Sequence, residues 1–400
     1  MSNKTNSDSE IQGFTRLITD AVLGITDVVE TVQKQIVYPG FLQATSIQYM
    51  IDKIAGITFN NIRWGTQTIG EGLSQLLGQL IPLLGDIEAS NGDAVRSILN
   101  GIFGDYLEEK ENPLSIDMQF RYDSKAIALN KKSIQELYPA INGKILLMVH
   151  GLCMNDIQWT REGHNHGTTL AKELGKTPIY LHYNSGRHVS SNGQSLNELL
   201  ERLVLNWPVP VEEIVIVAHS IGGLVTRSAF YYGSHKAKNW TKYLKNIVFL
   251  GTPHHGAALE RAGNYVDVIL ESIYQAKPFA RLGKARSAGI TDLRYGNLID
   301  EDWQGKDRFE MQEDQRSNIP LPKSAESYSI AAALGKASQE IASHMLGDGL
   351  VDIKSALGQH VSPQKNLQFK EENTWITYED SHLDLLSSLE VYHKLKEWLS

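Results

Sequence analysis

The sequence predicts an α/β fold, a mostly parallel sheet covered by helices on both faces, preceded by a helical segment. From residue 115 onward, short apolar runs recur between stretches of helical periodicity, a texture of alternating strand and helix. The runs KILLMVH (144–150), EIVIVAH (213–219) and NIVFLG (246–251) are continuous rather than alternating, as expected of strands buried on both faces. Before residue 115, apolar residues return at helical spacing instead.

Residues 1–10 are polar, have nothing to bury and are expected to be disordered. Residues 11–114 form the helical segment. Its first stripe is Phe14, Leu17, Ile18, Ala21, Val22, Ile25, Val28, Val29, Val32 and Ile36. Further helices are marked by Ile47 to Ile54, by Ile69 to Leu84 with Pro82 as a bend or stop, and by Val95, Ile98, Leu99, Ile102 and Phe103. The polar face of the first helix carries Asp20, Asp27 and Glu30, which argues for packing against protein rather than an anionic membrane surface.

The α/β domain spans 115–400. MQFRYDSKAIAL (118–129) reads as a strand pair turning at Asp123-Ser124. PIYLHYN (178–184), SYSIAAAL (327–334) and TWITYE (374–379) complete the strands, with helices over 166–174, 192–205, 221–231 and 383–398. The connection from NIVFLG to SYSIAAAL is too long for a plain loop, so residues 252–326 are expected to form a cap or lid.

Bulk properties bound the function. With 42% hydrophobic and 21% charged residues the chain is globular. A net charge of −8 with no basic cluster argues against nucleic acid. The single cysteine, Cys153, excludes a disulfide within the chain and fits a reducing compartment. Neither a secretory leader nor a run of about 18 apolar residues is visible, so the cytoplasm is expected and stable membrane insertion is not.

The sharpest chemical signal is Ala218-His219-Ser220-Ile221-Gly222-Gly223 at a strand-to-helix junction. A serine hydroxyl is a weak nucleophile and must be held exposed beside a base. A tight turn does this, provided small residues stand two before and two after it. Ala218 stands where glycine is usual, which crowds the turn slightly. Val149-His150-Gly151-Leu152 closes an earlier strand. Acyl transfer needs two backbone N–H groups aimed at a developing oxyanion, and Leu152 and Ile221 are the candidates. His150 reads as a hydrogen-bonder in that turn, with Gly151 leaving room for a substrate. An acid and then a histidine should follow the serine in the chain. Asp348, with Asp352 as its competitor, and His382 occupy such positions after two later strands. The 13 histidines make any one of them weak evidence, but the ordered set at three strand ends is strong. Gly251 to Gly256 (GTPHHG) lies at the same sheet edge, so His254 and His255, with His150, Gly151 and His219, are candidate substrate contacts. Being adjacent, His254 and His255 diverge, and no metal site is expected of them.

These motifs together resemble the lipase and esterase branch of the α/β-hydrolases, which carries an HG loop, serine elbow, GTPHHG loop, DGLV acid loop and HLD base. The resemblance implies a triad of Ser220, Asp348 and His382, favouring Asp348 over Asp352. The stretch 183–210 further resembles bacterial esterases related to GPI inositol-deacylases. Lipases of this branch use the aspartate of HLD for calcium; Asp384 matches, but no second ligand stands out and no cofactor is expected. The implied activity is hydrolysis of an ester with an apolar acyl group through an acyl-enzyme. A non-catalytic scaffold or membrane-associated assembly protein on the same fold is the alternative, against which an intact triad weighs.

Overall fold

The computed structural model describes residues 89–257, 286–308, 310, 313–337 and 347–400, together with Gly13 and Arg16. The apolar stripes expected before residue 89 and the helical patch near 259–274 lie outside these. The chain divides into two compact units, Met1–Glu88 with Lys110–Leu114, and Ala89–Glu109 with Ser115–Ser400. In the first, the Asn112 amide donates to Gly13 O and accepts from Leu114 N–H.

The second unit is built on an eight-stranded sheet. Its strands are β1 (Gln119–Tyr122), β2 (Lys125–Ala126), β3 (Lys144–Val149), β6 (Thr177–His182), β7 (Glu213–His219), β8 (Leu244–Leu250), β9 (Glu326–Ala333) and β10 (Thr374–Tyr378). A separate small ribbon pairs β4 (Thr160–Arg161) with β5 (His164–Asn165). The order across the sheet is β10-β9-β8-β7-β3-β6-β1-β2. Within this sheet all pairings are parallel except β1 with β6 and with β2. This is the expected parallel sheet, and with its helices it is an α/β-hydrolase fold. The β1–β2 turn falls at Asp123 and Ser124, with φ of 48° and 58°. Two successive left-handed residues match the right-handed twist of the flanking strands.

The central strands are buried on both faces because β3, β7 and β8 carry aliphatic side chains at successive positions. Leu146, Leu147, Val215, Ile216, Val217 and Val248 are all fully buried. Helices α2 (Lys131–Leu137), α3 (His166–Leu174), α4 (Val189–Asn206), α5 (Ile221–His235) and α8 (Leu389–Leu399) accompany the strands. Local chemistry sets their ends. Asn165 accepts from Thr168 N–H at the start of α3, and left-handed Gly175 ends it. Helix α4 begins before the expected residue 192 because the Asp292 carboxylate accepts from Val189 N–H, 2.8 Å away. Helix α8 begins after the expected residue 383 because the Asp384 carboxylate captures Ser381 N–H and Oγ and winds a separate turn over Asp384–Leu386.

Helix α1 (Ala89–Glu109) lies in this unit and buries Ile98, Leu99 and Ile102. The described part of the 252–326 connection includes α6 (Ala288–Asp292), beyond which Leu298 O accepts from Ser228 Oγ of α5. Among the described residues, no helix is long and apolar enough to cross a membrane.

Candidate active site

The parallel strands deliver the expected site residues to one edge of the sheet, at their C-terminal ends. Ser220 sits between β7 and α5 with φ 56° and ψ −130°, a conformation L side chains avoid at a cost of about 1–3 kcal/mol. Its N–H donates to Leu250 O of β8, which fixes the turn. Close packing beneath it requires Gly222, where a Cβ would meet His150 O at 2.5 Å and Val149 O at 2.8 Å. Ala218 is accommodated fully buried, beside Val149 in the ladder.

Asp348 and His382 are joined. The His382 Nδ1–H donates to Asp348 Oδ2 at 2.6 Å, and His382 N–H donates to Asp348 O at 3.0 Å. The other carboxylate oxygen, Oδ1, accepts from Leu350 N–H and Val351 N–H at 2.9 and 2.8 Å. Asp352 instead opens α7 (Ile353–Ala356), its carbonyl accepting from Ala356 N–H. His382 is buried, and its imidazole lies against Gly251, 3.0 Å from where a Cβ would stand. Gly251 follows Leu250, the acceptor of the Ser220 N–H, so imidazole and serine share this corner. Ser220 Oγ and His382 Nε2 are both buried with no hydrogen-bond partner among the described residues.

Ile221 N–H is the first of helix α5, where the helical ladder supplies no acceptor and the helix dipole favours negative charge. Leu152 follows Gly151, where a Cβ would stand 3.1 Å from Ser220 Cβ and 2.8 Å from His219 Nδ1. His150 Nδ1 donates to Gly151 O at 2.8 Å, and burial pulls its pKa down to about 4.

The remaining candidate histidines are engaged by other groups. His219 Nε2 donates to His382 O at 3.0 Å, and its ring lies 4.6 Å from that of His382. Burial holds it neutral, well below the ordinary imidazole range. His254 is fully buried, its Nδ1 accepting from Arg227 at 3.3 Å, and His255 Nδ1 accepts from Arg316 at 2.6 Å. A guanidinium only donates, so both imidazoles are neutral. Burial first, with the arginines added, lowers both, His255 to about 3. The GTPHHG loop is thus anchored from behind, with Gly251 as its contact with His382. Asp384 Oδ2 accepts from Ser381 N–H and Oγ. Among the described residues, no three His, Cys, Asp or Glu side chains are grouped to hold a metal.

Sequence reasoning missed the supports of the 150–153 loop. Tyr183 stacks on the His150 ring, 4.4 Å between centroids, and its hydroxyl donates to His150 O. Ser185 Oγ accepts from Cys153 N–H at 3.1 Å. Both lie in the run YNSG after β6, whose small polar residues were a usable signal of a close loop contact. Cys153 adopts φ 60° beneath Gly101 of α1, its Sγ 3.8 Å from Ile98 O. Burial raises its thiol pKa to about 12, so it fills space rather than reacts. A methyl group at residue 101 would overlap Cys153 Sγ and lie 2.9 Å from its Cα. Gly101→Ala is therefore expected to destabilise the fold by about 1–3 kcal/mol, seen as a lowered Tm in thermal unfolding.

The family described as "Domain of unknown function (DUF7379)" matches residues 115–289. No curated protein matches the chain. Among solved structures, a Bacillus licheniformis lipase in its mature form is similar at 18% identity and TM-score 0.44, covering 64% of this chain and 92% of that one. An esterase of Pyrococcus furiosus is similar at 13% identity and TM-score 0.38, covering 65% and 81%. An α/β-hydrolase fold protein from Chitinophaga pinensis is similar at 11% identity and TM-score 0.38, covering 65% and 90%.

Proposed function

We propose that the protein is a serine carboxylic-ester hydrolase working through an acyl-enzyme, with Ser220, His382 and Asp348 as its triad. The observation that carries this reading is the coincidence of a strained serine turn with a buried Asp–His pair at the same corner of the sheet. Strain of this kind persists only where the surroundings enforce it, and it clusters at functional sites.

With its Nδ1 proton held by Asp348, His382 presents the Nε2 lone pair. Ser220 Oγ attacks the ester carbonyl carbon as its proton passes to Nε2. The carbonyl electron pair moves onto oxygen, and the N–H groups of Leu152 and Ile221 hold that oxyanion. On collapse the C–O bond to the alcohol breaks, and the alkoxide takes the proton from His382. Water then attacks the acyl-enzyme, giving its proton to His382, and the acid leaves as Ser220 is reprotonated. We extend the reading to an ester with an apolar acyl group and to kinship with bacterial esterases related to GPI inositol-deacylases. The motifs at His150-Gly151, Gly251 to Gly256 and 183–210 support both.

A fluorophosphonate is expected to label the native protein once, with the adduct mapping by mass spectrometry to the peptide carrying Ser220. Labelling elsewhere, or none, would refute the assignment. A panel of p-nitrophenyl esters of increasing acyl length then tests the acyl preference, which should favour chains longer than acetyl.

A further inference from the structure

The polar groups around Gly151 constrain one another in a way that fixes a tautomer. A carbonyl oxygen only accepts, so the 2.8 Å contact between His150 Nδ1 and Gly151 O places the proton on Nδ1. Gly151 C=O and Leu152 N–H belong to one planar trans peptide and point in opposite directions. Holding the carbonyl therefore holds the N–H. Without that bond the glycine on one side would let the peptide plane rotate easily. The imidazole is itself immobilised, fully buried and stacked on Tyr183 at 24° between planes. The Tyr183 hydroxyl occupies His150 O at 2.9 Å, and Ser185 Oγ occupies the next N–H along, that of Cys153.

We infer that His150 is a positioning residue of the oxyanion hole, holding the Gly151–Leu152 peptide so that Leu152 N–H faces the carbonyl attacked by Ser220. The inference rests on Ser220 being the nucleophile. His150 touches no reacting atom; it acts through the peptide it grips. The neutral imidazole and the cation both keep a proton on Nδ1, so the grip does not depend on the charge of His150.

The test uses the full chain with an ester and the matching thionoester, whose sulfur is a poor hydrogen-bond acceptor. His150→Phe keeps the stack on Tyr183 and removes the donor. It is expected to lower kcat for the ester by about 10²-fold, the cost of losing one oxyanion donor, with little change in KM. The thionoester depends less on the hole, so its kcat should fall far less. His150→Asn sets an amide nitrogen near the former Nδ1 and should recover kcat to within about tenfold of wild type. An unchanged kcat in His150→Phe would overturn the inference. So would equal losses on ester and thionoester with no recovery in His150→Asn, the signature of a general structural role. A wild-type protein that neither turns over esters nor takes up a fluorophosphonate at Ser220 would overturn the nucleophile assignment itself, and this inference with it.

Discussion

Ser220→Ala is expected to lower kcat for p-nitrophenyl ester hydrolysis by about 10⁶-fold, leaving only what binding and the oxyanion donors supply. The melting temperature should hardly fall. The hydroxyl makes no hydrogen bond among the described residues, so its removal orphans no partner there. The turn is held by Ser220 N–H on Leu250 O, which alanine keeps. Alanine carries the same left-handed penalty as serine, so the strain neither rises nor vanishes. Activity and stability are thereby separated. Retention of more than about a tenth of wild-type kcat would remove Ser220 from the nucleophile's role. A collapse of Tm together with kcat would show that the hydroxyl is structural.

The sheet was legible because its chemistry is local. Uninterrupted aliphatic runs in β3, β7 and β8 are incompatible with a half-exposed strand, and each of these three lies within two residues of its expected limits. The serine turn was legible because small residues at fixed offsets are a steric demand of the turn itself. The ends of α4 and α8 were less so. One is set by Asp292, distant in sequence, and the other by the Asp384 carboxylate diverting the chain into a turn. Helix α1 shows the same limit. Its apolar stripe was plain, but periodicity does not say which surface a stripe covers, and contact between Gly101 and Cys153 leaves no pattern in either segment.

The histidines divide along this line. His382 was marked by its order after Ser220 and Asp348. The sequence reading set His150, His219, His254 and His255 at the substrate because they border the same edge. The structure gives each a protein partner: Gly151 O, His382 O, Arg227 and Arg316. Two of those partners are backbone carbonyls, which every residue has. The two arginines come from a helix and a distant loop. The hydrogen bond of His150 within its own turn was expected; the partners of His219, His254 and His255 could not be foreseen from adjacency.

Asp348→Asn is expected to lower kcat by about 10⁴-fold while the fold persists, because the substitution reverses the tautomer of His382. Two backbone donors, Leu350 N–H and Val351 N–H, converge on Asp348 Oδ1 and require an oxygen there. An asparagine must turn its carbonyl oxygen to them, since two N–H groups facing an NH₂ would leave buried donors unpaired at about 1–3 kcal/mol. Its NH₂ then faces His382 Nδ1, where Asp348 Oδ2 now accepts at 2.6 Å. Nδ1 must become the acceptor, and the imidazole proton moves to Nε2. That nitrogen then cannot take the proton of Ser220. Ground-state binding does not use it, so KM should change little while kcat falls. Asp352→Asn should cost far less, since the backbone carbonyl of residue 352 receives Ala356 N–H and its carboxylate is not the one on His382. Steady-state kinetics of the two variants on one ester decide the matter, and a larger loss in Asp352→Asn would transfer the acid's role to Asp352.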